Sequence, residues 1–99
     1  MKRIMVRYTV KPEHAARNAE LIKEVYEELD REQPQGLRYA AFVLDDGVTF
    51  MHIVVRDEEG SSLTEIAAFQ RFREGLRDRC DVPPVSTELD EVGSYRFFD

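Results

Sequence analysis

Residues 37–56 read LRYAAFVLDDGVTFMHIVVR, two runs rich in β-branched and aromatic residues on either side of Asp45-Asp46-Gly47. Residues of these types favour strands, and an Asp-Gly pair between two such runs is a strong signal for a tight hairpin. The stretch therefore predicts two antiparallel strands, Leu37–Leu44 and Val48–Arg56.

A strand and a helix are predicted on the N-terminal side of this hairpin. Apolar and polar residues alternate over Arg3–Val10, which is typical of a strand. Pro12 suits the first turn of a helix, where its missing N–H is harmless. From Glu13 to about Arg31, apolar residues recur every three or four positions and predict an amphipathic helix. The recurring positions are Ala15, Ala19, Ile22, Val25, Tyr26 and Leu29.

A second helix and a last strand are predicted on the C-terminal side. Ser62-Leu63-Thr64-Glu65 matches the Ser-x-x-Glu capping box that begins a helix. That helix is expected to end near Arg79–Asp81, with Ile66, Phe69, Phe72, Leu76 and Cys80 on one face. Pro83-Pro84 is expected to stop it, and Val85–Phe98 is expected to form the last strand, with an interruption near Gly93.

The predicted order is strand, helix, strand, strand, helix, strand over one domain, residues 1–99. Two β-α-β units joined by a hairpin give an α+β, ferredoxin-like fold with a four-stranded antiparallel sheet. Right-handed crossovers place both helices on the same face of that sheet. The opposite face then needs another partner.

Composition excludes several classes of function. The 99 residues carry 14 Lys+Arg and 20 Asp+Glu, a net charge of −6, so we expect no binding to nucleic acid or to anionic membranes. Cys80 is the single cysteine, which fits a cytoplasmic protein. The spacing of the two histidines offers no metal site. No apolar run is long enough for a signal peptide or a membrane helix.

The sheet face away from the helices predicts a homodimer. In the third strand Met51, Ile53 and Val55 alternate with Phe50, His52 and Val54. We assign the aliphatic set to the helices and the mixed set to the open face, and leave the phase of the other strands open. Neither face is polar, and an exposed apolar face of this size marks an interface. Two copies are expected to pack through their sheet faces.

Two stretches, VRYTVKP at residues 6–12 and PQGLRY at residues 34–39, together with the element order and the chain length, resemble the antibiotic biosynthesis monooxygenase-like family. The resemblance implies the dimeric α+β barrel fold, with a small apolar pocket between sheet and helices in each subunit. Some members of the family oxidise polycyclic phenols with molecular oxygen and no cofactor, whereas others act on quorum-signal molecules or have no known activity. Some members degrade haem with a pocket tryptophan, and this chain contains none.

His52 is the strongest candidate for chemistry, because histidine exchanges a proton near neutral pH and this one lies mid-strand among apolar residues. The alternative is a buried histidine that is hydrogen-bonded for structural reasons. Arg7 or Arg38 is the candidate to hold an anionic substrate oxygen, with a salt bridge across the dimer as the alternative. The candidate substrate-binding residues are Arg7, Tyr8, Arg38, Tyr39, Phe50 and Phe69.

Two hypotheses of function follow. The first is a cofactor-independent monooxygenase-like enzyme on a small aromatic or apolar substrate, with His52 as the proton-handling residue. The second is a non-catalytic ligand-binding or dimerisation module of the same fold. An enzyme requires a cavity of several hundred Å³ with His52 opening into it.

Overall fold

The strands and helices follow one another in the predicted order in the computed structural model, which describes residues 1–97. The strands are β1 (Lys2–Val10), β2 (Leu37–Val43), β3 (Thr49–Arg56) and β4 (Cys80–Glu88). The helices are α1 (Ala15–Glu32), α2 (Ala67–Arg73) and α3 (Leu76–Arg79), with short 3-10 turns at Pro12–His14 and Leu63–Glu65. None of the helices in residues 1–97 is long and apolar enough to cross a membrane.

The four strands form one antiparallel sheet in the order β2-β3-β1-β4. Apolar side chains of α1 and α2 pack with side chains of β1 and β3 in a single core. The predicted α+β, ferredoxin-like fold is therefore confirmed. The buried core residues are Tyr8, Val10, Leu21, Ile22, Val25, Phe50, Ile66, Ala68, Phe72 and Leu76.

The face assigned to the third strand is wrong. Phe50 pairs with Tyr8, and His52 pairs with Val6, on the side of the sheet that the helices cover. Both Phe50 and His52 are 4% exposed. Alternation shows which residues share a face but not which face is covered, and both sets of β3 are apolar enough for a core. On the covered side, the hydroxyl groups of Tyr8 and Tyr39 hydrogen-bond both ring nitrogens of His52, which a buried imidazole requires.

The sequence left open which residues of the other strands face the helices, and the strand register now answers this for β1 and β2. Arg7 pairs with Met51, so it lies on the open face together with Met5 and Thr9. In β2, Arg38 pairs with Val55 on the open face, whereas Tyr39 pairs with Val54 on the helix side.

The second helix differs from the predicted single helix. It is divided into α2 and α3, and Gly75 lies between them with a φ of 75°. Ser62 caps the preceding 3-10 turn through the amide of Thr64, not α2 itself. The first amides of α2 instead donate to the carboxylate of Glu28 in α1, at 3.2 and 2.9 Å. A side chain 39 residues away in sequence therefore supplies the cap, which a local motif cannot reveal.

The last strand begins earlier than predicted. β4 covers Cys80–Glu88, and Pro83-Pro84 lies within it instead of ending a helix. The prolines are tolerated because β4 is an edge strand and the register with β1 shifts at this point, between Arg7 and Thr9. Residues 89–97 are not strand, and the predicted end at Phe98 lies outside the described residues.

Gly36 and Gly60 meet where the loop after α1 crosses the loop after β3. Gly36 has a φ of +70°, and a Cβ on Gly60 would lie 2.4 Å from the carbonyl oxygen of Gly36. The amide of Asp57 donates to the same Gly36 oxygen at 2.9 Å, so the carbonyl is held in place. This crossing fixes the start of β2 relative to the end of β3.

We expect Gly60→Ala to lower the free energy of unfolding by about 1–3 kcal/mol, because backbone must move to accept the methyl group. Gly93→Ala is the matched control, since its added Cβ would meet no atom within 4 Å in residues 1–97 other than its own chain neighbours. The control should change stability by less than about 0.5 kcal/mol in urea denaturation. Equal stability of the two variants would contradict the close approach.

Candidate active site

A cavity of about 690 Å³ lies between the helix-covered face of the sheet and the segment that contains α2 and α3. This volume is in the range of small-molecule sites. His52, Tyr8 and Tyr39 line it together with apolar side chains. The apolar lining residues include Ile4, Val6, Leu37, Val54, Leu63, Phe69, Phe72, Leu76 and Pro84.

His52 is held between two tyrosine hydroxyl groups. Its Nε2 lies 2.8 Å from the hydroxyl of Tyr8, and its Nδ1 is hydrogen-bonded to the hydroxyl of Tyr39. β1, β2 and β3 each contribute one residue to this trio, so the sheet register fixes their spacing. Both ring nitrogens are occupied by protein groups.

Two further residues extend this network away from the cavity. The Nδ2 of Asn18 in α1 donates to the Tyr8 hydroxyl at 3.0 Å. The Oδ1 of Asn18 accepts from Nε and Nη2 of Arg79, both at 3.2 Å. Arg79 also donates to the carbonyls of Phe72 and Glu74 at the end of α2. The five residues Arg79, Asn18, Tyr8, His52 and Tyr39 are called the polar chain below.

The polar chain has a defined direction. A guanidinium only donates, so Arg79 requires the oxygen of the Asn18 amide and turns its NH₂ group toward Tyr8. The Tyr8 oxygen accepts that bond. Because the Tyr8 hydroxyl is buried and Nε2 of His52 is the acceptor within its reach, its own proton is assigned to Nε2. The neutral ring then carries its proton on Nδ1 and donates to the Tyr39 oxygen. The hydroxyl proton of Tyr39 has no acceptor among residues 1–97 and is available to a ligand.

Aromatic rings hold the polar chain from both sides. Phe50 stacks on Tyr8 with ring centroids 5.6 Å apart, and Tyr26 stacks on Tyr39 at 5.1 Å. Phe72 lies 5.4 Å from the His52 ring, and Phe69 meets Tyr39 edge-on at 6.4 Å. Such packing restricts rotation of the three central side chains.

Burial determines the protonation of the site. Removal from water lowers the pKa of His52 to about 4, so the imidazole is neutral at neutral pH. Burial also raises the pKa of Tyr8 and of Tyr39 well above the ordinary value for tyrosine. At neutral pH the site therefore contains neutral hydrogen-bonding groups, with the charge of Arg79 at its far end.

The structure brings together only part of the predicted site. Tyr8, Tyr39, His52 and Phe69 line the cavity. Phe50 lies behind Tyr8 in the core and supports it. Arg7 and Arg38 do not line the cavity, because their strand positions place them on the opposite face of the sheet. The arginine part of the predicted substrate-binding set is corrected accordingly.

Asn18 and Arg79 were not among the predicted site residues. Asn18 is fully buried and lies three positions after Ala15 and four before Ile22, within the apolar stripe of α1. A polar residue at a core position of an amphipathic helix is a usable signal. Arg79 carries no such signal, because arginines are common near helix ends and its partner is 61 residues away.

By sequence, no known family model and no curated protein matches the chain. By structure, an antibiotic biosynthesis monooxygenase is similar, with a TM-score of 0.70 at 19% identity, over 94% of this chain and 100% of that one. The chain has the fold of the antibiotic biosynthesis monooxygenases. SnoaB, a cofactor-independent oxygenase from Streptomyces nogalater, is similar with a TM-score of 0.66 at 14% identity, over 97% of both chains. Rv0793 from Mycobacterium tuberculosis is similar with a TM-score of 0.72 at 14% identity, over 94% of this chain and 96% of that one.

We expect His52 to make the fold sensitive to acid. The unfolded chain binds a proton at His52 below about pH 6.5, whereas the folded chain binds it only near pH 4. Stability contributed by the neutral ring is therefore complete above pH 6.5 and decreases as the pH falls toward 4, by about 3 kcal/mol in all. Urea denaturation at several pH values between 4 and 7.5 measures this loss.

The variant His52→Gln, which cannot titrate, should lose less stability over the same interval than the wild type. Carboxylates contribute equally to both proteins and cancel in the comparison. His14→Gln removes the histidine outside the polar chain and should retain the wild-type pH dependence. A parallel decline in all three proteins would contradict burial of a neutral His52.

Proposed function

We propose that the chain is a cofactor-independent monooxygenase-like enzyme that acts on a small aromatic substrate in the cavity. The observation that carries the proposal is a neutral histidine, fixed between two tyrosine hydroxyls, at the inner end of an apolar cavity. The similarity in fold to a cofactor-independent oxygenase supports the same class of reaction. Function still depends on the site, since one fold can host unrelated activities.

In this proposal Tyr39 contacts the substrate and His52 acts through it. The Tyr39 hydroxyl directs its proton into the cavity, where it donates to a phenolic or carbonyl oxygen of the substrate. Negative charge develops on that oxygen when the substrate ionises, and a fixed donor in an apolar site stabilises it. The Nδ1–H of His52 keeps the Tyr39 oxygen occupied as an acceptor, so its proton stays directed at the substrate. The substrate proton leaves to water at the cavity mouth.

The reaction requires no external reductant. An ionised aromatic substrate donates electrons directly to O₂, and a ring methylene becomes a carbonyl. One oxygen atom enters the product and the other leaves as water, so CH₂ plus O₂ gives C=O plus H₂O. The enzyme supplies binding, charge stabilisation and exclusion of water from the ring.

A non-catalytic ligand-binding module is the second candidate. The same cavity and the same donor would bind an aromatic ligand without activating it. The full hydrogen bonding of both His52 nitrogens favours this candidate, because it is also what a structural histidine would show. Only the enzyme would convert its ligand to product, so a measurement of turnover distinguishes the two candidates.

We expect the protein to oxidise anthrone, a three-ring ketone with a ring methylene, to anthraquinone faster than buffer does. Oxygen uptake should match product, and ¹⁸O₂ should place one labelled atom in the quinone. Tyr39→Phe should lower kcat by about 10²-fold, because one donor to the developing charge is lost.

Tyr26→Phe is the matched control, since it removes a hydroxyl from the partner ring of the same stack and Tyr26 does not line the cavity. It should leave kcat near the wild-type value. Saturable binding of anthrone without oxygen uptake would support the binding module, and equal rates in both variants would exclude Tyr39 as the contact residue.

We also infer that the open face of the sheet is the interface of a homodimer. Apolar side chains occupy its centre, and Phe42 and Val85 are exposed in the single chain at 43% and 60%. Met5, Met51, Ile53 and Val55 lie half-buried on the same face. A contiguous apolar surface of this kind supports an isologous pairing of two copies.

Sedimentation should give a dimer for the wild type at micromolar concentration and a monomer for Ile53→Glu. Burying two symmetry-related carboxylates without partners opposes association. Val92→Glu adds the same charge at a fully exposed position outside the strands and should stay dimeric. A monomeric wild type would contradict the assignment of this face.

A further inference from the structure

The cavity has a cationic lining in a protein that is acidic overall. Lys2, Arg56, Arg73 and Arg77 line it, and Asp78 is the one carboxylate residue of the described lining. None of the four cations forms a salt bridge within residues 1–97, although the chain has six more acidic than basic residues. Four positive charges thus border one cavity with little compensation.

Two of these cations are direct neighbours in the sheet. Lys2 in β1 pairs with Arg56 in β3, and the other neighbour of Arg56 is Leu37 in β2. Like charges directly opposite each other destabilise an antiparallel pair. The nearest acidic strand residue on this face, Glu88, pairs with Ile4, does not line the cavity and forms no salt bridge in the described chain. An anion bound between Lys2 and Arg56 would remove this repulsion.

The sheet register gives the distance from these charges to the polar chain. Arg56 and His52 are four residues apart on the same face of β3, about 13 Å. Between them lies an apolar step, Ile4 paired with Val54. The flexible Lys2 and Arg56 side chains shorten the span that a ligand must bridge. The hydrogen-bond donor of Tyr39 lies at the inner end.

We propose that the cavity selects an aromatic carboxylic acid. Its carboxylate would lie between Lys2 and Arg56 at the mouth, its rings along the apolar wall, and a phenolic or carbonyl oxygen at Tyr39. Arginine favours this anion because its fork matches the two carboxylate oxygens. The inference rests on the proposed function, since it assumes that the cavity binds an aromatic substrate.

Calorimetric titration with two probes tests the assignment. The probes are 6-hydroxy-2-naphthoate and its primary amide, which have the same rings and the same phenol but differ in charge. We expect the acid to bind about tenfold more tightly than the amide, which corresponds to about 1.4 kcal/mol. This ratio should shrink as ionic strength increases.

The double variant Lys2→Gln/Arg56→Gln should bring the ratio close to one while leaving the affinity for the amide unchanged. Lys23→Gln/Arg31→Gln changes the net charge equally on the exposed side of α1 and should retain the wild-type ratio. Without ligand and at low ionic strength, the Lys2/Arg56 variant should have a higher Tm than the wild type, because the paired repulsion is gone. A lower Tm would contradict an uncompensated pair.

The outcomes distinguish this inference from the proposed function. If the amide binds as well as the acid, the carboxylate preference is wrong and the aromatic site stands. If the preference persists in the Lys2/Arg56 variant, the anion site is wrong. If neither probe binds, the cavity is not an aromatic site, and both the proposed function and this inference fail.

Discussion

The interaction on which the site depends is the pair of hydrogen bonds from Arg79 to the Asn18 carbonyl. Because a guanidinium cannot accept, these bonds fix the orientation of the amide and, through it, the proton position on each following group. The hydrogen bonds of the polar chain run from α1 through β1 and β3 to β2. The tautomer of His52 is therefore a consequence of how one helix and three strands pack.

The same arginine has a structural task at the end of α2. It donates to two carbonyls of that helix and lies 5.5 Å from the ring of Phe72, which also packs on His52. Helix C-termini favour positive charge, so the residue that orders the polar chain also terminates the helix that covers it. Arg79 therefore links the end of this helix to the polar chain.

The two faces of the sheet carry different sets of side chains. On the helix-covered side, side chains of alternate positions form the cavity and the polar chain. On the other side, the residues between them offer an apolar surface with arginines around it. A shift of one residue in the register of β3 would exchange the two sets of side chains and disrupt both faces at once.

Local patterns predicted the order of elements and the hairpin, because alternation and turn residues are short-range signals. Local patterns gave wrong predictions for features that contacts between distant residues determine. Which set of β3 is covered depends on packing against helices that are distant in sequence, and the start of α2 depends on Glu28. Arg7 and Arg38 lie outside the cavity because the strand register places them on the other face of the sheet. The mouth cations Lys2 and Arg56 come together only through strand register.

Pro83-Pro84 has a consequence for the outer edge of β4. Two successive residues there lack an amide hydrogen, and the irregular pairing opposite Tyr8 bends the strand. A free strand edge can otherwise template the addition of further strands from other chains, leading to open-ended aggregates. The proline pair removes donors that such a template needs, so the outer edge of β4 resists the addition of a strand from a further chain.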